Sequence, residues 1–454
     1  MAIAKVEDHD SMPTRVKKIE IKKCGCPCGR SHTCEVGSVI VGSRALLRLP
    51  EELSRLGVTR PFILSDVNTR AAAAEQVEKI LSEAKIPYSG YCYPEHRLEP
   101  DERAVSAAEM SFDRECDCVI AVGSGVIGDI AKLLAKSTAT KYAIVATAPS
   151  MDGFASATSS MTVGGLKVSL ASRAADLIIG DTDVLKNAPR ELLVSGLGDM
   201  LAKYISIAEW RISNLLTGEY YCEDIAELMR SSLAECVENA GGLLRREDKA
   251  VEAVFRGLVT AGMAMSYAGA SRPASGVEHY FSHLWDMRGV EFGDATSTHG
   301  IQCAVGTLIA ARLYEGLNLT RPDTKRAEEY VSSFDFSAWS GELRAFLGKG
   351  AEAMIALEEK ERKYSLEKHR ERIRLIEEKW DEMTTIVYKE IPSSAEIEKI
   401  LDTIGCPKSP SELGIDEDLL PMTLKATKDI RDKYILSRLL WDVGLLDEFA
   451  QRLR

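Results

Sequence analysis

No uncharged apolar run of about 18 residues occurs in the sequence, so no membrane-crossing helix is expected. An excess of basic residues is also lacking. The net charge of −12 argues against a nucleic-acid or anionic-membrane surface, where Lys and Arg would cluster. A few local cations or backbone N–H groups would still suffice to hold a phosphate. The opening residues, MAIAKVEDHDSMP, show no basic stretch followed by an apolar core, so no secretory signal and a cytoplasmic location are expected. Without that signal, eleven cysteines, an odd number, favour reduced thiols over a disulfide framework. Internal repeats and low-complexity segments are missing too.

What is present is the composition of an ordinary globular protein, 45% apolar and 28% charged, and 454 residues allow two or three domains. Between about Arg60 and Val184, short β-rich runs alternate with helical stretches. PFILSD, CVIAVGSG and YAIVATAPS each have the character of a buried strand ending in polar or small residues. Ile130, Leu133 and Leu134 follow at helical spacing, with Asp129 placed to favour a helix N-terminus. That alternation implies a mostly parallel sheet with helices on its faces. TVGGLKVSL breaks the rhythm and is expected to form a hairpin turning at Gly164-Gly165. After Pro189 helical patterns dominate. The expected fold is an α/β nucleotide-binding domain at 41–189, an all-α domain at 190–454, and a Cys-rich segment at 1–40. From Glu358 to Val387 the chain is densely charged. Ile373, Ile376, Trp380, Met383 and Val387 step by three and four, which marks a solvated helix packing one narrow stripe on its own domain.

Gly123-Ser124-Gly125-Val126-Ile127-Gly128 follows an expected strand and opens an expected helix. Glycines there let backbone N–H groups approach a pyrophosphate, whose charge the helix dipole favours. A tight strand-to-helix turn without a ligand is the competing reading. Asp66 ends the earlier strand PFILSD and could accept hydrogen bonds from a ribose. It precedes the glycine turn, whereas the standard Rossmann order puts that acid about 20 residues after it. Either Asp66 is a plain loop aspartate, or the nucleotide site has a different topology.

Three of the seven histidines fall between 279 and 299. His279 and His283, four apart, share a face if helical. Imidazole is the commonest metal ligand, and catalytic sites pair three protein ligands with an open position. A third ligand would be a carboxylate from elsewhere, and Asp199 is a good candidate, between the glycines of Ser195-Gly196-Leu197-Gly198 and an apolar helical stretch. The His279–His283 pair could also chelate through both rings, although the Glu of an H-E-x-x-H motif is missing. Ordinary polar residues at helix ends are the alternative; three clustered histidines beside Gly300 weigh against it.

Together the segments GSGVIGDIAK, TAPSMDGFAS, SGLGDMLAKY, ASGVEHYFSH and HGIQCAVGT, in that order, resemble the sn-glycerol-1-phosphate dehydrogenases. These lie within the larger dehydroquinate-synthase-like and iron-containing alcohol dehydrogenase group. The likeness spans roughly residues 60–320, and the charged region after 350 and the ending YILSRLLWDVGLL are most like bacterial members. It implies interconversion of dihydroxyacetone phosphate and sn-glycerol 1-phosphate with NAD or NADP and one divalent metal, Zn, Ni or Fe. A small phosphorylated substrate and a homo-oligomer are expected, with no nucleic acid and no integral membrane contact. Asp66 would bind the adenosine ribose, which resolves the order at that position. Gly123, Ser124, Gly125, Val126, Ile127, Thr147, Ser150 and Ser156 would hold the dinucleotide. Asp199, His279 and His299 would bind the metal. Asp152 would contact substrate, Asp199 would touch it too, and His283 would face it and relay a proton. Ser124 stands where the family usually has Gly, so a less close approach to the pyrophosphate is expected. Arg272 is the one candidate for the phosphate.

Two neighbouring activities compete. A dehydroquinate-synthase-like cyclase normally has Glu where Asp199 stands, and a glycerol dehydrogenase would not need the Asp152 and GFAS run. A catalytically inert nucleotide-binding protein would not need Asp199, His279 and His299. Outside the matching core, Cys24, Cys26, Cys28, His32 and Cys34 offer five soft ligands within eleven residues. Two readings stand: a second, structural zinc site, or metal-free thiols in a loop or strand. The spacing, tighter than the usual C-x₂₋₄-C pairs, weighs toward the second.

Overall fold

The computed structural model describes residues 14–16, 26–164, 166–318 and 320–453. Nine strands are described: β1 (Thr14–Val16), β2 (Ser38–Gly42), β3 (Pro61–Asp66), β4 (Ser89–Tyr93), β5 (Cys118–Gly123), β6 (Lys141–Ala146), β7 (Thr158–Val163), β8 (Leu166–Ala171) and β9 (Leu177–Asp181). The main sheet has the order β1-β2-β9-β6-β5-β3-β4. Six strands run parallel, and only the edge strand β1 is antiparallel, to β2. Strands covered on both faces read as continuous apolar runs. In β5 all six residues are buried, and in β9 all five. Alternate residues separate the two faces: Phe62, Leu64, Val119 and Ala121 join one core cluster, Ile63, Ile120 and Val122 another.

β4 lies on one side of β3, while β5, β6 and β9 follow on the other. The order therefore reverses between β3 and β5. In open α/β sheets ligands bind at such a crevice, beyond the carboxyl ends of the strands. Asp66 ends β3 and Gly123 ends β5, so both residues border it. β7 and β8 form the expected hairpin, with Val163 opposite Leu166 and Gly164 at φ +58°; Gly165 lies outside the described residues.

The helices that matter here are α1 (Gly125–Ser137), α2 (Arg190–Leu201), α3 (Lys203–Thr217), α4 (Glu223–Glu238), α5 (Asp248–Ala268), α6 (Val277–Phe292), α7 (His299–Asn318) and α8 (Leu366–Glu390). Beyond Asp181 every described element is helical. The α/β-then-α architecture is thus as expected, while β2 straddles position 40, where the Cys-rich segment was expected to end.

Two local expectations are corrected. α1 begins at Gly125, so Asp129 lies a turn inside it, paired with the buried Lys132 at 3.1 Å. No side chain caps α1, which leaves its first amides open toward the crevice. Gly196 and Gly198 are helical residues of α2, not a turn. A Cβ on Gly196 would stand 1.8 Å from the Pro149 carbonyl oxygen, and one on Gly198 2.4 Å from that of Gly300. Glycine costs a helix roughly 1 kcal/mol, and here it lets α2 press against α7. The charged helix α8 behaves as expected: Ile373, Ile376, Trp380, Met383 and Val387 are buried in the helical core. Residues 358–361 belong to a separate helix that ends where Arg362 turns left-handed, φ +52°.

Candidate functional site

A cleft of about 990 Å³ opens at the reversal of strand order. Asp66, Ser124, Val126, Ile127 and Thr147 line it; Gly123, Gly125, Ser150 and Ser156 do not. Gly123 shapes the turn from behind, because a Cβ there would stand 2.6 Å from the Cβ of Ile127. Ser124 has φ −123°, a negative value, so the side chain is held without left-handed strain. Asp66 Oδ1 accepts from the amides of Asn68 and Thr69 at 2.9 and 2.8 Å, capping the helix that follows. Sequence reasoning missed Arg97 and Arg44, two cations on the cleft wall. Ser150 is buried and its carbonyl accepts from Ser195 Oγ at 2.9 Å, while Ser156 Oγ meets Thr158 Oγ1 at 2.8 Å.

From Thr147 the chain runs on to Asp152, whose amide donates to Asp199 Oδ2 at 2.9 Å. This segment joins the cleft to a cluster of buried donors. The glycine contact between α2 and α7 brings Asp199 near His299, which opens α7. α6 carries His279 and His283 one turn apart. Asp199 Oδ1 lies 3.6 Å from His279 Nε2, close to the roughly 3.4 Å between two N/O ligands of one tetrahedral ion. The His279 and His299 rings are 5.1 Å apart, those of His283 and His299 5.9 Å, and those of His279 and His283 6.4 Å.

The ring hydrogen bonds suit metal binding. Glu278 Oε1 accepts from His279 Nδ1 at 2.7 Å, which leaves Nε2 to face Asp199. Ser282 Oγ lies 3.1 Å from His299 Nδ1, turning that ring's Nε2 away from it. Burial opposes protonation of His279, yet Cys303, Asp199 and Glu278 outweigh it and raise its pKa well above the usual value. Burial likewise opposes ionisation of Asp199, but Lys203 and His279 hold its carboxyl well below the usual range. A pocket that draws positive charge onto an imidazole is suited to a divalent cation. His283 behaves oppositely: burial and the neighbouring His299, His279, Arg431 and Lys167 push its pKa well down.

Three residues of this cluster went unread in the sequence. Lys203 is fully buried and donates to Asp199 Oδ1 and Asp152 Oδ2, both at 2.8 Å. Glu278 orients His279. Cys303 Sγ stands 3.6 Å from His299 Nε2 and could join His279 and His299 around an ion. Its spacing, four residues after His299 on one helix, was the available signal. Arg272 serves elsewhere: it is buried against Glu219, Ser213 and the Tyr434 carbonyl.

At the N-terminal end, Cys26, Cys28 and His32 do gather, but with Cys222 as the fourth member. Cys34 is buried in the sheet-side core instead, because it continues the chain toward β2. Cys24 lies outside the described residues.

A parallel sheet with a glycine turn, followed by helices carrying an Asp-His-His donor set, defines a nucleotide-dependent, metal-binding dehydrogenase fold. The family model for iron-containing alcohol dehydrogenase matches residues 40–189. A glycerol dehydrogenase structure from Schizosaccharomyces pombe superposes with a TM-score of 0.59 at 16% identity, covering 93% of this chain and 92% of that one. Glycerol-1-phosphate dehydrogenase [NAD(P)+] of Pyrococcus horikoshii is 33% identical over 281 residues, 62% of this chain and 79% of that protein. The enzyme of the same name from Halalkalibacterium halodurans is 27% identical over 415 residues, covering 90% of this chain and 94% of that protein. The chain belongs to the glycerol-1-phosphate dehydrogenase family. No helix among the described residues is long and apolar enough to cross a membrane.

Proposed function

We propose that this chain interconverts dihydroxyacetone phosphate and sn-glycerol 1-phosphate with NADH or NADPH. The observation that carries the reading is the junction at Asp152–Asp199. There the segment that leaves a dinucleotide-sized cleft at Thr147 and Ala148 is hydrogen-bonded, through the Asp152 amide, to Asp199 of a buried Asp-His-His donor set. Residues 41–189 hold the dinucleotide, with Asp66 at the ribose and the open N-terminus of α1 at the pyrophosphate. Ser124, Val126, Ile127 and Thr147 line that half of the site, Gly123 and Gly125 shape its turn, and Ser150 and Ser156 flank Asp152 beyond it. Residues 190–454 supply His279 and His299, which with Asp199 hold one divalent ion, Zn, Ni or Fe.

When bound, the metal supplies Lewis-acid polarisation of a carbonyl oxygen and the reduced nicotinamide supplies hydride. The protein's own groups do the rest. Lys203 pins Asp152 and Asp199 in one orientation, so that Asp152 meets the substrate. His283, held neutral by burial and by the cations around it, relays the proton that the product oxygen needs, taking one from water at one ring nitrogen as the other gives one up. Arg431 and Lys167, near enough to add to the effect of burial on His283, are the cations we assign to the phosphate end.

The test is a spectrophotometric assay with dihydroxyacetone phosphate and glycerol, both cofactors, and added Zn, Ni or Fe. Stoichiometric NAD(P)H oxidation with dihydroxyacetone phosphate is the expected result. Turnover of unphosphorylated glycerol alone, or phosphate release without net NAD(P)H consumption, overturns it in favour of the two neighbouring activities.

A further inference from the structure

Besides the donors proposed for the catalytic metal, the described residues contain one more cluster of soft ligands. Cys26 and Cys28 come from the loop before β2, His32 from the same loop four residues later, and Cys222 from the turn between α3 and α4. One ligand atom from each lies within 4.8 Å of the other three. Cys26 Sγ to Cys222 Sγ is 3.5 Å, Cys28 Sγ to His32 Nε2 is 3.2 Å, and Cys222 Sγ to His32 Nε2 is 3.5 Å. Around one tetrahedral zinc, two thiolates stand about 3.8 Å apart, and a thiolate and an imidazole nitrogen about 3.6 Å. These three edges are within a few tenths of an ångström of those of a zinc tetrahedron, and the other three stay within 4.8 Å.

The surroundings prepare two of the ligands. His32 is buried, and its Nδ1 is 3.0 Å from the Tyr267 carbonyl oxygen. A carbonyl only accepts, so Nδ1 carries the proton and Nε2 presents its lone pair to the three sulfurs. Gly29, at φ +76°, turns the chain so that the Arg30 amide donates to Cys28 Sγ at 3.4 Å. Tyr220 Oη is 3.4 Å from the same sulfur.

We propose that Cys26, Cys28, His32 and Cys222 form a structural zinc site, closed by four protein ligands and separate from the catalytic metal. It fastens the segment leading into β2 to the helical part of the chain, at the start of α4 and beside the end of α5. The pairing joins residues 26–32 to residue 222, so the metal closes a long loop and adds its binding free energy to folding. A closed Cys₃His shell has no open position for substrate, and the site takes no part in turnover.

Metal analysis of the full-length protein, purified from zinc-supplemented medium, tests this. Wild type should hold two metal equivalents. Cys222→Ser and His279→Ala should each lose one, and the double variant nearly both. Cys222→Ser should keep kcat with dihydroxyacetone phosphate and show a lower Tm. Cobalt-loaded His279→Ala should retain the near-ultraviolet thiolate-to-cobalt absorption, and adding Cys222→Ser should abolish it. If Cys222→Ser does not fold, mercurial titration of wild type in the presence of a zinc indicator gives the same answer: one zinc released as these thiols react. A single equivalent lost entirely in His279→Ala overturns the site. So does intact-mass evidence of a Cys26–Cys222 disulfide in protein purified without reductant. Neither result bears on the catalytic reading, which the assay above tests by itself.

Discussion

Lys203 Nζ and Asp199 Oδ1 are 2.8 Å apart, and solvent reaches neither side chain. The same ammonium is 2.8 Å from Asp152 Oδ2, so one cation neutralises two carboxylates, one from the segment after β6 and one from α2. Burial opposes its charge, but Asp152 and Asp199 raise its pKa above the ordinary lysine value. Removing one partner of a buried pair costs roughly 3–5 kcal/mol, because the remaining charge stays desolvated. Lys203→Met is therefore expected to unfold at lower temperature, most of all after chelation. A divalent ion at Asp199 restores part of the lost positive charge, so metal should narrow the gap. Thermal melts of wild type and variant, with and without EDTA, check this; equal melting temperatures in EDTA would sink it.

A buried acid outside the Asp-His-His donor set sets an expected pH dependence. Burial, and then Asp429, push the Glu358 carboxyl from 4.5 up to about 7, despite Lys363 at 2.6 Å. The folded state then binds this proton more tightly than the unfolded chain. Its stabilising contribution is complete below pH 4.5 and is lost as pH rises through about 7. Glu358→Gln keeps the shape without the titration. Across that window the wild-type Tm should fall relative to the variant's, and a constant difference would remove Glu358 as the cause.

What could be read in advance follows from where each signal lies. PFILSD, CVIAVG and KYAIVA are covered on both faces, so their apolar runs announced strands. β4 is a half-exposed edge strand, SGYCY, and carries no such run. His279 and His283 are related by one helical turn, a local regularity. Gly196 and Gly198 misled, because the reason for them is tertiary: the carbonyls of Pro149 and Gly300 press on α2. Lys203 and Glu278 look like surface charges in a sequence, and only the fold shows what they neutralise or orient. Cys222 lies 190 residues from His32, beyond any spacing rule.

Asp66 should set the cofactor preference. Its Oδ1 is occupied by the amides of Asn68 and Thr69, so Oδ2 is the oxygen left for a ribose diol. A carboxylate there repels a 2′-phosphate, while Arg97 on the cleft wall offers a counter-cation. NADH should be used at least as well as NADPH, by a small margin. Asp66→Ala should shift the kcat/KM ratio toward NADPH and lose about 0.5–2 kcal/mol of stability with the helix cap. Steady-state kinetics with both cofactors decide it, and a strong wild-type preference for NADPH would show that Asp66 does not meet the ribose.

His279 and His283 share one face of α6, yet their surroundings differ. His279 has its Nδ1 held by Glu278 and its Nε2 aimed at Asp199. His283 stacks beside His299, where burial and the neighbouring cations push its pKa well down. A lost ligand lowers metal affinity, whereas a lost proton carrier leaves the metal and slows turnover. His283→Ala should therefore fold normally and keep its catalytic metal, with kcat for dihydroxyacetone phosphate reduced by ~10²–10⁴-fold. His279→Ala should lose that metal and nearly all activity. Both measurements belong in a Cys222→Ser background, so that metal held by the cysteine cluster does not mask the loss. Metal retained in His279→Ala but lost in His283→Ala would exchange the two roles. Loss in both would make the helix pair the chelate and leave His299 without a ligand's part.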